Sequence, residues 1–136
     1  MDSGISGGST TQILTRFLIC GFGLDIRTLS ETLGLAPSES HRAGDADSSG
    51  NLYAHDAWAI AIPVPSTEPL DAHLKWIGEV LSARADFVRS MRGQAELAIS
   101  CRVATDCEWG DLYASPRALK PLVDLGITLE LDARLL

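Results

Sequence analysis

The feature that most constrains the fold is a strict alternation of residue types between Glu96 and Ala104. The apolar positions are Leu97, Ile99, Cys101 and Val103, and the positions between them are Glu96, Ala98, Ser100 and Arg102. Because successive side chains of a β-strand point to opposite faces, this period of two predicts a strand with one buried and one hydrated face. A sheet built on such a strand is expected to carry helices on one side.

Three further strands are predicted around this one. The apolar, β-prone run from Arg16 to Leu24 is typical of a central strand that is buried on both faces. A second strand is expected from about Leu52 to Val64, with Trp58, Ile60, Ile62 and Val64 on one face and small alanines on the other. The last strand is predicted from Ile127 to Asp132, with Ile127, Leu129 and Leu131 facing inward.

Two helices are predicted between the first three strands. The short one, from Ile26 to Leu33, follows Asp25 as its N-cap and ends at Gly34, which fits a C′ position. Residues 36–50 are polar and rich in Gly, Ser and Asp, so a long loop is expected there. The longest helix is predicted from about Pro69 to Arg92, because Leu70, Leu74, Ile77 and Leu81 recur at helical spacing.

A third helix is expected after the strand that ends near Ala104. Ser115 and Pro116 fit its N-cap and first helical position, and Gly126 fits its end. Pro121 falls inside this helix and predicts a kink or two short pieces.

The order of elements predicts an α+β domain over residues 15–136, preceded by a flexible leader over residues 1–14. Two right-handed βαβ units joined by a long helix can share one sheet, which gives a two-layer, ferredoxin-like α/β sandwich of mixed strand direction. A small doubly wound parallel sheet is the alternative. The amphipathic third and fourth strands favour two layers, because a doubly wound sheet is covered on both faces.

The net charge of the chain disfavours some classes of binding partner. Its 136 residues include 18 acidic and 11 basic ones, for a net charge of −7. This balance disfavours nucleic acid, which is bound through basic surfaces, and it disfavours anionic membranes. A basic protein would be attracted to the chain, although the charge also serves solubility.

Cysteine usage and hydropathy predict a cytoplasmic protein. The three cysteines are Cys20, Cys101 and Cys107, an odd number that argues against a disulfide framework. Cys20 and Cys101 lie in apolar runs and are expected in the core. No apolar stretch reaches the length of a membrane span, and the Gly- and Ser-rich start lacks the basic region of a signal peptide.

The most specific local motif resembles an EF-hand calcium loop. Its oxygen-bearing positions are Asp45, Asp47, Ser49, Asn51 and Asp56, with Gly50 at the sixth place. An EF-hand loop needs a helix on each side, whereas the preceding residues are loop-like and the following ones predict a strand. A solvated turn, in which these residues serve backbone geometry, is therefore preferred over a calcium site.

The sequence motifs for other kinds of site, namely a transition-metal site, a dinucleotide site and a nucleophilic cysteine, are incomplete. His41, Asp45, His55 and Asp56 lack the spacing of a defined transition-metal site, and residues of a surface loop are the preferred interpretation. The Gly21-Phe-Gly23 segment lacks the third glycine of a dinucleotide fingerprint. Cys107 lies in a polar loop with no base placed beside it by sequence. We expect no catalytic residues and no cofactor.

The three tryptophans differ in setting. Trp58 lies on the apolar face of a strand and is predicted to be in the core. Trp76 flanks the apolar stripe of the long helix. Trp109, in a loop with Asp111, is either an exposed anchor for a partner or a side chain folded over the end of the sheet.

Short motifs along the chain resemble the bacterial family catalogued as domain of unknown function 4279. They are Leu24-Asp25, Leu33-Gly34-Leu35 with Pro37, Gly44-Asp45, Trp58, Leu70-Asp71 with Leu74, Leu112, Ser115-Pro116 and the closing Leu125 to Asp132. The resemblance spans about Phe17 to Asp132, and its specificity comes from the order and spacing of the motifs. Ala133 stands where the family commonly has an aromatic residue. The resemblance implies a small bacterial cytoplasmic domain without established activity, and by analogy an immunity or interaction protein.

Two classes of function follow from these observations. The favoured one is a non-enzymatic protein-binding domain, of which an immunity-type protein is one form, that uses Arg42, Asp45, Asp47, Trp109 and Asp111. The alternative is a small-molecule or metal-binding domain, or an enzyme, that uses the loop from Ser38 to Asp56. Its candidate residues are His41, Arg42, Asp45 and His55.

Overall fold

The computed structural model describes residues 11–105 and 112–135, with nine helices and strands in those ranges. The strands are β1 (Thr11–Gly21), β2 (Glu39–His41), β3 (Asp56–Ala61), β4 (Ala95–Thr105) and β5 (Thr128–Leu135). The helices are α1 (Ile26–Leu33), α2 (Leu70–Ser82), α3 (Ala85–Ser90) and α4 (Pro116–Leu125). The described part is a mixed α+β domain with one five-stranded sheet.

The sheet has the strand order β2-β3-β1-β4-β5. All neighbours are antiparallel except β4 and β5, which run parallel with α4 between them in sequence. In the centre, Phe17 lies opposite both Ile60 of β3 and Ile99 of β4. These three side chains therefore share one face of the sheet.

The helices pack on the face that carries Phe17. The hydrophobic core joins inward residues of the strands to Leu29 and Leu33 of α1, Val88 of α3 and the buried stripes of α2 and α4. Trp58 is fully buried, as predicted, and its indole N–H donates to the hydroxyl of Ser30 at 2.9 Å. The β4 alternation is confirmed, because its four apolar residues are buried and Glu96 and Arg102 are exposed.

Several local predictions are confirmed. Asp25 caps α1 by accepting the Thr28 N–H at 3.1 Å, and Gly34 ends the helix in the left-handed region. Ser115 caps α4 by accepting the Ala118 N–H, with Pro116 at the first turn and Gly126 at the end. Cys101 is buried, whereas Cys20 is only half-buried.

The two predicted βαβ units and the ferredoxin-like arrangement are not confirmed. β1 and β3 are antiparallel neighbours, so the first unit is not a parallel βαβ. β1 also begins at Thr11, which places the predicted boundary of the leader at residue 14 inside this strand. The prediction that the run from Arg16 to Leu24 is buried on both faces is wrong, because Arg16, Leu18 and Cys20, on the side away from the helices, are only partly buried.

Other boundaries differ from prediction. The long helix is divided into α2 and α3, and the Arg84 guanidinium at the break donates to the carbonyl of Thr32 at 2.9 Å. The second strand is shorter and begins at Asp56, while β2 lies inside the predicted loop. α4 is continuous through Pro121, so the alternative of two short pieces is wrong, while a kink at Pro121 stays a prediction. Leu131 lies opposite Cys101 and so is on the helix-bearing face, as predicted, but it is exposed there.

Candidate functional site

Asp56, the first residue of β3, joins two loops at one end of the sheet. Its Oδ1 accepts the Ala43 N–H at 2.8 Å, and its Oδ2 accepts the Leu24 N–H at 2.9 Å. The Ala43 N–H, followed by that of Leu24, holds the pKa of Asp56 below its usual value. The side chain is thus charged at neutral pH and ties the segment after β1 to the loop between β2 and β3.

Arg42 makes a second tie between the same segments. Its guanidinium donates to the carbonyl of Leu24 at 3.2 Å, and its backbone N–H donates to Oδ2 of Asp45 at 2.9 Å. Residues 22–25 and 42–55, which these contacts hold together, are called the loop surface below.

The carboxylate of Asp47 organises the tip of the loop surface. Its Oδ1 accepts the N–H groups of Ser49 at 2.8 Å and of Asn51 at 3.0 Å. The backbones of Asp45 and Tyr53 pair beside it, with the Tyr53 N–H donating to the Asp45 carbonyl at 2.9 Å. Such contacts are typical of Asp and Asn in turns.

The geometry gives the calcium alternative little support. The strands β2 and β3 flank the motif where an EF-hand has helices. Asp45, Asp47 and Asp56 each accept backbone N–H groups, and Asp56 is directed to Leu24 rather than to the tip. Within residues 11–105 and 112–135, no group of three or more His, Cys, Asp or Glu side chains is placed to hold a metal ion.

His41 and His55 lie near each other but in different surroundings. The His41 ring stacks on Tyr53, with centroids 3.4 Å apart and planes 8° apart, and lies 6.3 Å from the His55 ring. Nδ1 of His41 is buried and forms no hydrogen bond with the described residues. His55 is exposed. The stack supports the loop against β3, since His41 is in register with Ala57.

The loop surface exposes two large apolar side chains that sequence reasoning did not select. Phe22 is 75% exposed and Leu52 is 69% exposed. Asp25, Asp45 and Asp47 lie on the same two segments, and none of them takes part in an ion pair with another described residue. The only available signal was the position of Phe22 between glycines at the end of an apolar run.

Trp109 and Asp111, the other predicted binding residues, lie outside the described residues, as does Cys107. Their roles stay predictions.

A groove of about 430 Å³ lies between α2 and α4, far in sequence from the predicted site. Its floor includes Leu74, Gly78 and Ala118, and its walls include Lys75 and Arg117. Sequence reasoning missed it because the groove depends on how closely two distant helices approach. None of its lining residues belongs to the loop from Ser38 to Asp56, so it does not support a ligand site there.

Fold and site together define a mixed α+β domain with helices on one face of its sheet. At one end of the sheet, hydrogen bonds from Asp56 and Arg42 hold a polar loop in place. The chain belongs to the family described as Domain of unknown function (DUF4279), whose model matches residues 11–136. Searches of curated proteins and of solved structures found no match. Among the described residues, no helix is long and apolar enough to cross a membrane.

Proposed function

We propose that this protein is a non-enzymatic protein-binding domain that presents the loop surface to a basic partner. The observation that carries the proposal is the exposure of Phe22 and Leu52 on segments fixed by Asp56.

The apolar contact would come from Phe22 and Leu52. Burying one such side chain against a partner contributes about 1.5–3 kcal/mol relative to leaving it in water. Aromatic anchors of this kind carry a large part of the binding energy at protein interfaces.

The charge of the surface favours a basic partner. Asp25, Asp45 and Asp47 add three carboxylates to the segments that carry Phe22 and Leu52, and the whole chain has a net charge of −7. The one guanidinium on the loop surface, that of Arg42, is already bonded to Leu24. Complementary charge raises association rates and selects between partners.

The rigidity of the surface supports binding rather than simple exposure. Leu24 and Ala43 are fixed by the same carboxylate, and Arg42 adds a second link. A surface that is ordered before binding loses less conformational entropy when a partner docks.

An immunity-type role is the finer form of this proposal. In that form the chain is a bacterial cytoplasmic protein, and the basic partner is a toxin whose action it blocks. Its support is the acidic charge of the chain, which would attract a basic toxin.

The test begins with affinity capture from cells that contain the protein, followed by identification of the bound protein and calorimetry with both proteins purified. The double variant Phe22→Ala/Leu52→Ala is expected to bind at least about tenfold more weakly, as for a hot-spot pair. Val123→Ala is the matched control, because Val123 is equally exposed but lies on α4. Equal affinity of the double variant and the wild type would contradict the proposal.

A second candidate function rests on the groove between α2 and α4. An apolar floor with a few charged groups at its walls is typical of small-molecule sites of this volume. The neutral fluorophore N-phenyl-1-naphthylamine is expected to bind there, and Ala72→Trp, which fills the groove, is expected to abolish binding while Val123→Trp does not. Unchanged binding in Ala72→Trp would remove this candidate.

A further inference from the structure

The face of the sheet opposite the helices is buried along β3, where Ala57 is 8% and Ala59 is 2% exposed and Tyr53 stacks on His41, and it is more open over β1 and β4. The apolar or small positions on this side of β1 and β4 are Leu14, Leu18, Cys20, Ala98, Ser100 and Ala104. Leu14 is more than half exposed and Leu18 is partly exposed. We call this surface the open face. An apolar centre within a charged margin is the usual anatomy of a protein interface.

The charged residues of the open face fall into two groups. Arg16 pairs with Glu39 at 3.1 Å, and Arg134 pairs with Asp132 at 3.3 Å. Glu96, Arg102 and Glu130 form no ion pair with another described residue. Two of these three, Glu96 and Arg102, lie on the same strand, with Ala98 and Ser100 between them on the open face.

We infer that a second copy of this chain packs against the open face. The two copies would be related by a two-fold axis that lies between the sheets and runs across the strands at the level of Ile99. Such an axis places β4 antiparallel over β4 of the second copy, so that Glu96 of each copy meets Arg102 of the other. A two-fold interface is self-complementary in this way, because each contact occurs twice.

The same two-fold axis also gives compatible contacts between the residues of β1 in the two copies. The register of β1 against β4 pairs Ala98 with Leu18 and Ser100 with Arg16. The axis therefore places Leu18 over the aliphatic stem of Arg16 and Leu14 over Cys20 of the second copy. Apolar groups meet apolar groups, and no charged residue of β1 or β4 faces a like charge.

The size of the face suits a dissociable dimer. The three strands β1, β4 and β5 present a face of about 500 Å². Two such faces bury about 1,000 Å² in total, the size of a weak, transient interface. The inference is argued from the charges of β4 and not from Phe22 or Leu52, so it does not rest on the proposed function.

Sedimentation velocity on the full chain, from micromolar to millimolar concentration, tests the inference. The wild type is expected to form a dimer as concentration rises. Glu96→Arg and Arg102→Glu are each expected to weaken the dimer at least about tenfold, because both create like-charge pairs across the axis. Glu79→Arg, a charge reversal on α2, is the matched control and is expected to dimerise like the wild type.

An equimolar mixture of Glu96→Arg and Arg102→Glu gives the decisive result. In the mixed pair, arginines of one chain face glutamates of the other at both contacts, so association is expected to return to near the wild-type affinity. Its return also shows that both variants are folded. A monomeric wild type, a dimer insensitive to both reversals, or a mixture that stays monomeric would overturn the inference.

Discussion

Asp56 shows how much a single residue contributes to the candidate site. Its place at the twelfth position of a calcium-like motif was visible in the sequence, but the groups it binds were not. Leu24 and Ala43 offer backbone N–H groups, which any residue carries, so no residue type marked them as partners. Sequence could therefore supply the carboxylate but not its role.

His73 is the residue whose ionisation should matter most for stability near neutral pH. It is buried between α2 and β1, where Nδ1 lies 2.8 Å from the Thr15 hydroxyl and Nε2 lies 3.2 Å from the Glu68 carbonyl. The carbonyl only accepts, so Nε2 carries the proton and the Thr15 hydroxyl donates to Nδ1. Burial is the main cause that lowers the pKa of His73, and it opposes a second proton.

The unfolding free energy is predicted to fall as the pH is lowered from about 7 to about 5. The folded pKa lies below the unfolded one, so in this range the unfolded chain binds more protons and is favoured by acid. Urea unfolding across this range measures the slope, which should be smaller in His73→Gln. Thr15→Val should keep the slope but lose about 1–3 kcal/mol, because Nδ1 stays buried without a donor. Equal slopes in the wild type and His73→Gln would contradict this assignment.

Gly126 is predicted to be intolerant of a side chain. It has a φ of 72°, and a Cβ there would lie 2.8 Å from the Arg92 guanidinium. Gly126→Ala should destabilise the protein by about 1–2 kcal/mol through the left-handed backbone, plus the displacement of Arg92. Gly34→Ala is the matched comparison, since its φ is 68° and nothing lies near its Cβ. Thermal unfolding should rank Gly126→Ala as the less stable variant, and a neutral Gly126→Ala would refute the argument.

At the scale of elements, sequence succeeded where the signal is local. The ends of α1 and α4 are set by capping residues, so both were predicted closely. The break after Ser82 contains neither Gly nor Pro, and it coincides with a tertiary contact from Arg84 to α1. β2 has only three residues and no apolar alternation, so it exists through its pairing with β3.

The N-cap of α4 gives a prediction at this scale. The Ser115 hydroxyl accepts the Ala118 N–H at 3.2 Å, while its own N–H donates to Asp71 at 2.8 Å. Ser115→Ala should cost about 1 kcal/mol because one helix N–H loses its acceptor. Ser115→Thr keeps a capping hydroxyl and should lie much closer to the wild type in chemical denaturation. A similar loss in both variants would show that the cap is not the cause.

At the scale of the whole molecule, the alternation of β4 predicted the main property of the fold, a sheet with one buried face. Strand order and direction were not predictable, because they depend on pairings between segments far apart in sequence. For the same reason, only the polar residues of the candidate site could be predicted from the sequence. Arg42, Asp45 and Asp47 were selected for their polarity, whereas Phe22 and Leu52 gained meaning only from exposure on a fixed loop.

The central claim is that Asp56 holds the loop surface in one conformation, and amide hydrogen exchange measures this most directly. In the wild type, the N–H groups of Leu24 and Ala43 are predicted to exchange slowly, because each donates to the carboxylate of Asp56. In Asp56→Ala both should exchange much faster, while the amides of Phe17 and Ile99 in the central strands keep their protection. Fast exchange of Leu24 and Ala43 in the folded wild type, or unchanged protection in Asp56→Ala, would contradict the account.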